Sequence, residues 1–153
     1  AGLPGQGSWG QGYWHPTSAG WPSTFEAVNM AVIPNDGRVI VWDLNIANQN
    51  IAPTSPWPQR FAVGDPELLP ATTAFTNRIV PIPAGYGDLF CSGHVWLPNG
   101  RLFVAGGNTR YPSTGANYFE GSRFAAIWNP ADLNNQSLNY GWSWLPPRSR
   151  TAR

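Results

Sequence analysis

The chain carries one cysteine, Cys91, in 153 residues. A single thiol excludes a framework of intrachain disulfides, so packing must hold the fold. Charge is scarce too: charged residues make up 11% of the sequence, nine basic against eight acidic, for a net charge of +1. They are scattered singly, so no basic stripe is available to neutralise a phosphate backbone, and no nucleic-acid partner is expected. No apolar run approaches the roughly 20 residues of a membrane span, so no membrane partner is expected either. The opening AGLPGQGSWG lacks the charged-then-apolar layout of a signal peptide, and an exported protein would already have lost its leader.

What is abundant is aromatic and turn-forming. Aromatics reach 14%, with nine tryptophans, 17 glycines and 16 prolines. That balance argues against disorder, which needs high charge and few aromatics. It also argues against long helices, which Pro and Gly at these frequencies would break. The expected class is all-β. A chain of this length supports one domain that buries roughly 70% of its unfolded surface. Low lysine content, many Trp, Asn and Gly, and a sequon at Asn135-Gln136-Ser137 point to a secreted, extracellular protein.

One hairpin occurs twice. NMAVIPNDGRVIVWD (29–43) parallels GHVWLPNGRLFVAGG (93–107), each an apolar strand, a Pro-Asn-(Asp)-Gly turn, then Arg and a second apolar strand. Asn-Gly or Asp-Gly between two such runs is a strong hairpin signal because a tight turn needs residues that tolerate positive φ. Arg38 and Arg101 are 63 apart, as are the RFA tripeptides at 60–62 and 123–125, and Pro83 and Pro146. Each repeat then holds about four strands: 27–33, 38–43, 59–64 and 76–82, followed by 92–97, 101–106, 123–128 and 141–145. The longer loops fall at 44–58 and 108–122. A four-stranded antiparallel unit at this period reads as a blade of a kelch-like β-propeller. The competing reading is a two-sheet sandwich with coincidental similarity. The expected division is an irregular aromatic, Gly-rich segment over 1–26, a first blade over 27–83 and a second over 84–153. Propellers usually have four to eight blades. The period puts a third repeat near residue 154, so the chain reads as a propeller fragment whose partners are the remaining blades or a second chain. Alone it would leave an apolar sheet face and unpaired edges open.

The run Phe90-Cys91-Ser92-Gly93-His94, followed by LPNGRLFVAGGN, AAIWNPADL, GWSWLP and SRTAR, resembles the second blade of the galactose oxidase and glyoxal oxidase family of copper-radical oxidases. WPSTFEAVNMAVIPNDGRVIVWD (21–43) is similar to the blade before it. The resemblance implies oxidation of a primary alcohol or aldehyde, with O2 reduced to H2O2. It also implies that Cys91 is the catalytic-site cysteine bonded through sulfur to a tyrosine that serves as radical-forming copper ligand. That tyrosine would lie about two residues beyond Arg153, and the other copper ligands in later blades. The implied cofactors, copper and the Cys-Tyr radical, therefore belong to an intact protein, and this chain alone is not expected to be an active enzyme. The alternative is a non-catalytic kelch-like propeller that binds carbohydrate or protein through loops 44–58 and 108–122.

Other constellations are weaker. A metal site generally needs three or more convergent ligands, and Cys91 with His94 supplies two at most. Strand alternation would put those two on opposite faces, and His94 reads as structural. His15 reads as a loop residue beside Trp14. Ser92 lies near His94 but without a Gly-x-Ser-x-Gly elbow. Asp65 and Glu67 read as solvent-facing at a strand end, and the Gly-rich start lacks the lysine of a phosphate cradle. Trp9, Tyr13, Trp14 and Trp21, and the alternating Trp142 and Trp144, either fill wedges between blades or offer platforms for sugar rings.

Overall fold

The computed structural model describes residues 29–43, 59–65, 75–110 and 120–146. The N-terminal aromatic segment with His15, the 44–58 loop and Glu67 lie outside the described residues. The described part is built of antiparallel β-strands. Sheet one is the meander β1 (Asn29–Val32), β2 (Val39–Asp43), β3 (Gln59–Gly64) and β4 (Phe75–Val80). Sheet two repeats it with β5 (Gly93–Trp96), β6 (Leu102–Ala105), β9 (Ala125–Trp128) and β10 (Trp142–Leu145). Between β6 and β9 a small ribbon, β7 (Asn108–Arg110) with β8 (Glu120–Gly121), occupies part of what the sequence suggested was a plain loop.

The two hairpin turns follow from their residues. In the first, Asn35 and Gly37 take left-handed φ of 62° and 79°. The Asp36 carboxylate there receives two hydrogen bonds from the Arg38 guanidinium, each 2.6 Å. That side-chain pairing holds the Asp36 carboxyl below its usual pKa. The second turn is one residue shorter, and Gly100 alone supplies the left-handed step, at φ 75°. Both turns close identically, by Ile33 N–H to Arg38 O and Leu97 N–H to Arg101 O, 2.8 Å each.

This pairing corrects the repeat. Arg38 and Arg101 are structural equivalents, as the 63-residue step requires. Val41, however, lies opposite Ala62, whereas Val104 lies opposite Ala126, so the third strands correspond at a step of 64. The RFA match is therefore out of register by one residue. Arg78 lies opposite Phe61 and Leu145 opposite Ala125, so the fourth strands correspond at 67. The extra length sits in the β9–β10 connection, 129–141, where two 3-10 turns (Pro130–Asp132 and Gln136–Gly141) are inserted. Pro83 and Pro146 are accordingly not equivalent.

The sheets pack face to face around one core. From sheet one come the cross-strand rows Asn29, Trp42, Phe61, Arg78 and Ala31, Ile40, Val63, Thr76. From sheet two come Trp96, Leu102, Trp128, Trp142 and His94, Val104, Ala126, Trp144. Trp42, Phe61, Trp128 and Trp142 are almost wholly buried there. Trp142 meets Trp42 and Phe61 edge-on, at centroid distances of 6.4 and 5.8 Å. Trp144 shares that face, and its indole N–H donates to Pro81 O across the interface at 3.1 Å. Trp142 is buried in the contact between the sheets, and Trp144 is half-buried beside it.

Under the equivalences above, the two sheets do not use the same face. The sheet-two positions matching Asn29, Trp42, Phe61 and Arg78 are Gly93, Ala105, Ala125 and Leu145, and this row points away from sheet one. The outward row of sheet one, Met30, Val41, Ala62 and Asn77, matches the inward row of sheet two. The contact is therefore head-to-tail: each module offers a different side to its neighbour.

Candidate functional site: the turn carrying Cys91

Cys91 is not part of a strand. It lies in the turn that leads into β5, with a left-handed φ of 61°, and its side chain is exposed. Few non-glycine residues sit in this region of backbone space, and those that do are held there by their surroundings. Here the restraint comes largely from sheet one. Asn29, 6% exposed at the start of β1, spans the turn with its carboxamide. Its Oδ1 accepts the Cys91 N–H at 2.9 Å, and its Nδ2 donates to Ser92 O at 2.8 Å.

Two further side chains of sheet one grip the same segment. The Trp42 indole N–H lies 3.1 Å from Leu89 O and 3.2 Å from Ser92 Oγ. The Gln59 carboxamide accepts the Leu89 N–H at 2.8 Å, while its Nε2 donates to Asp43 O and Arg60 O at 2.9 Å each. Leu89 itself is fully buried in the core, which gives the segment an apolar anchor beside its polar ones.

The β7 end of the small ribbon holds the segment from the other side, through backbone and one side chain. Asp88 and Asn108 exchange N–H to O bonds of 3.0 and 3.2 Å, and Asn108 Nδ2 donates to Phe90 O at 3.1 Å. The approach is too close for side chains: a Cβ at Gly107 would lie 1.9 Å from Asp88 O, and one at Gly87 would lie 2.1 Å from Asn108 O. The Asp88 carboxylate caps the turn by accepting the Phe90 N–H at 3.0 Å.

The electrostatics keep the thiol protonated. Partial removal of water pushes the Cys91 pKa up, and the Asp88 carboxylate adds to the shift. A cysteine in this setting is neither an activated nucleophile nor a ready thiolate ligand at neutral pH. His94, which strand alternation placed on the face opposite Cys91, lies on β5 facing sheet one, its ring 5.0 Å from that of Trp42 in a T-shaped pair. Cys91, being in a turn, lies outside that alternation. Among the described residues no group of three or more His, Cys, Asp or Glu is placed to hold a metal ion.

The clamp of Asn29, Trp42 and Gln59 escaped sequence reasoning. Its one sequence trace is that Asn29 and Ser92 are 63 residues apart, close to the repeat step, so they occupy adjacent positions at the starts of successive modules. Compared with known protein families, curated proteins and solved structures, the chain matches none. Among the described residues no helix is long and apolar enough to cross a membrane.

Proposed function

We propose that this chain is the N-terminal, two-blade part of a secreted copper-radical oxidase-like propeller, in which Cys91 forms the thioether to a tyrosine of the following blade. The observation that carries the reading is the setting of Cys91. An exposed thiol is fixed in a left-handed turn at the start of β5, an edge strand of its sheet, by the Asn29 side chain of the preceding module. A sulfur that must meet one carbon of a ring gains from a backbone held this firmly. The head-to-tail packing supports the propeller part of the reading, since a contact between unlike faces repeats around a ring. Forming the bond removes one hydrogen from the thiol and one from the ring, with O2 as the acceptor. Copper would be held by residues of later blades, and the reaction would convert a primary alcohol or aldehyde with O2 to the oxidised product and H2O2.

The test is intact-mass and peptide analysis of the parent polypeptide, the longer chain that this reading requires. Copper-loaded, aerobic material should lack two hydrogens and yield a peptide joined at Cys91. A free, alkylatable Cys91 in such material would refute the reading.

A further inference from the structure

The two hairpin turns end alike but differ in one side chain. Asp36-Gly37-Arg38 in the first corresponds to Asn99-Gly100-Arg101 in the second. In each, a side-chain Oδ1 accepts the backbone N–H of the arginine two residues on, at 3.4 Å from Arg38 and 3.2 Å from Arg101. The Asp36 carboxylate also takes the Arg38 guanidinium in two bonds of 2.6 Å. Asn99 carries a carboxamide instead, and among the described residues no carboxylate pairs with Arg101. Asn99-Gly100 is also the one Asn-Gly step in the sequence, and it is exposed.

The bond from the Arg101 N–H to Asn99 Oδ1 closes a ring that contains both the Asn99 Cγ and the Gly100 nitrogen. A Cβ at Gly100 would meet nothing within 4 Å, and glycine has no side chain of its own to screen that nitrogen. The nitrogen must release its hydrogen bond to Leu97 O, 3.0 Å, which an opening of the turn tip alone achieves. We propose that Asn99 is a site of spontaneous deamidation, and that the carboxylate formed there takes up with Arg101 the pairing that Asp36 makes with Arg38. The Gly100 nitrogen attacks the Asn99 Cγ. The new C–N bond replaces the Cγ–Nδ2 bond, and Nδ2 leaves as ammonia with the proton from Gly100. Water then opens the cyclic imide at either carbonyl, giving aspartate or isoaspartate at position 99. One water enters and one ammonia leaves, with nothing oxidised or reduced. Isoaspartate puts a further carbon into the main chain of a turn closed by Leu97 N–H to Arg101 O at 2.8 Å, so the fold favours aspartate. Both products re-form the imide, and the one that the fold favours accumulates. The change lowers the net charge of +1 by one, and it does not depend on the oxidase reading.

The 153-residue chain, held for weeks in mildly alkaline buffer at physiological temperature and then digested, should gain one dalton in the peptide containing Asn99 before any other asparagine changes. Aspartate should exceed isoaspartate in the folded chain, and isoaspartate should predominate when the same incubation is run in guanidinium. Asn99→Asp makes the product directly and should raise the urea midpoint by about 0.1–0.5 M. In an Arg101→Ala background the same substitution should raise nothing. An Asn99 that stays intact while other asparagines change, isoaspartate in excess in the folded chain, or an Asn99→Asp gain that is absent or persists without Arg101 overturns the proposal.

Discussion

Replacing Cys91 with glycine should make the chain more stable. Residue 91 has φ 61°, where an L side chain costs about 1–2 kcal/mol from the approach of Cβ to the following carbonyl. Glycine removes that cost and adds about 0.5–1 kcal/mol of unfolded-state entropy. The side chain is exposed, so little buried area is lost with the thiol. The balance is a gain of about 0.5–1 kcal/mol. Urea unfolding followed by tryptophan fluorescence reads it directly. With a slope near 2 kcal/mol/M, the midpoint should rise by about 0.3–0.5 M at unchanged slope. Cys91→Ala keeps the strained φ and should stay within about 0.5 kcal/mol of wild type. A midpoint that falls in the glycine variant would refute the reasoning, because it would mean that the cysteine is a packing residue. A rise would show that the cysteine is kept against the stability of its own turn, as expected where strain serves a site.

Three other outcomes follow from the same turn. Asn29→Ala strands the Cys91 N–H and the Ser92 carbonyl and should cost about 2–3 kcal/mol by urea unfolding; a loss under about 0.5 kcal/mol would mean that water replaces the clamp. Gly107→Ala places a carbon 1.9 Å from Asp88 O at a φ of 96°, and should cost about 3 kcal/mol or more, read as loss of the cooperative transition at ambient temperature. Because burial and Asp88 raise the Cys91 pKa, the iodoacetamide rate plotted against pH should have its midpoint above that of an unstructured cysteine peptide. The sign for stability is set by the same shift: the folded chain holds the thiol proton more tightly, so stability falls as pH rises through the ordinary thiol range. A midpoint at or below the peptide's would contradict the geometry.

The sequence was most legible where local chemistry decides the structure. Pro34-Asn35-Asp36-Gly37 and Pro98-Asn99-Gly100 announce their hairpins because few other residues accept the left-handed steps. All eight strands of the two meanders fall within two residues of their expected bounds. The ribbon of β7 and β8, in which Asn108 pairs with Gly121, was not legible, since no apolar alternation marks either strand. The RFA repeat was misleading in the opposite sense: identical letters fell one residue out of register, and a one-residue slip turns every side chain to the other face. The turn at Cys91 could not have been foreseen, because cysteine carries no preference for positive φ. What holds it there, Asn29, Trp42 and Gln59, comes from three strands 30 to 62 residues away.

The competing architecture, a self-contained two-layer sandwich, makes a different demand on the outward faces. A sheet covered on one side only alternates apolar with polar residues along each strand, while a sheet covered on both sides reads as continuous apolar runs. The central strands here are of the second kind: Val39-Ile40-Val41-Trp42, Leu102-Phe103-Val104-Ala105 and Ala125-Ala126-Ile127-Trp128. Sheet one already has Val39, Val41, Ala62 and Phe75 buried as a separate cluster on the side away from sheet two. Sheet two has its own side away from sheet one, with Val95, Phe103 and Ile127, half-open. A sheet open on this side would favour polar residues along the row, yet Val95, Phe103 and Ile127 are apolar and only Ser143 at its end is polar. The asymmetry between Trp42 and Phe61 in one module and Ala105 and Ala125 at the matching positions of the next is what the propeller proposed above expects of unlike contacts.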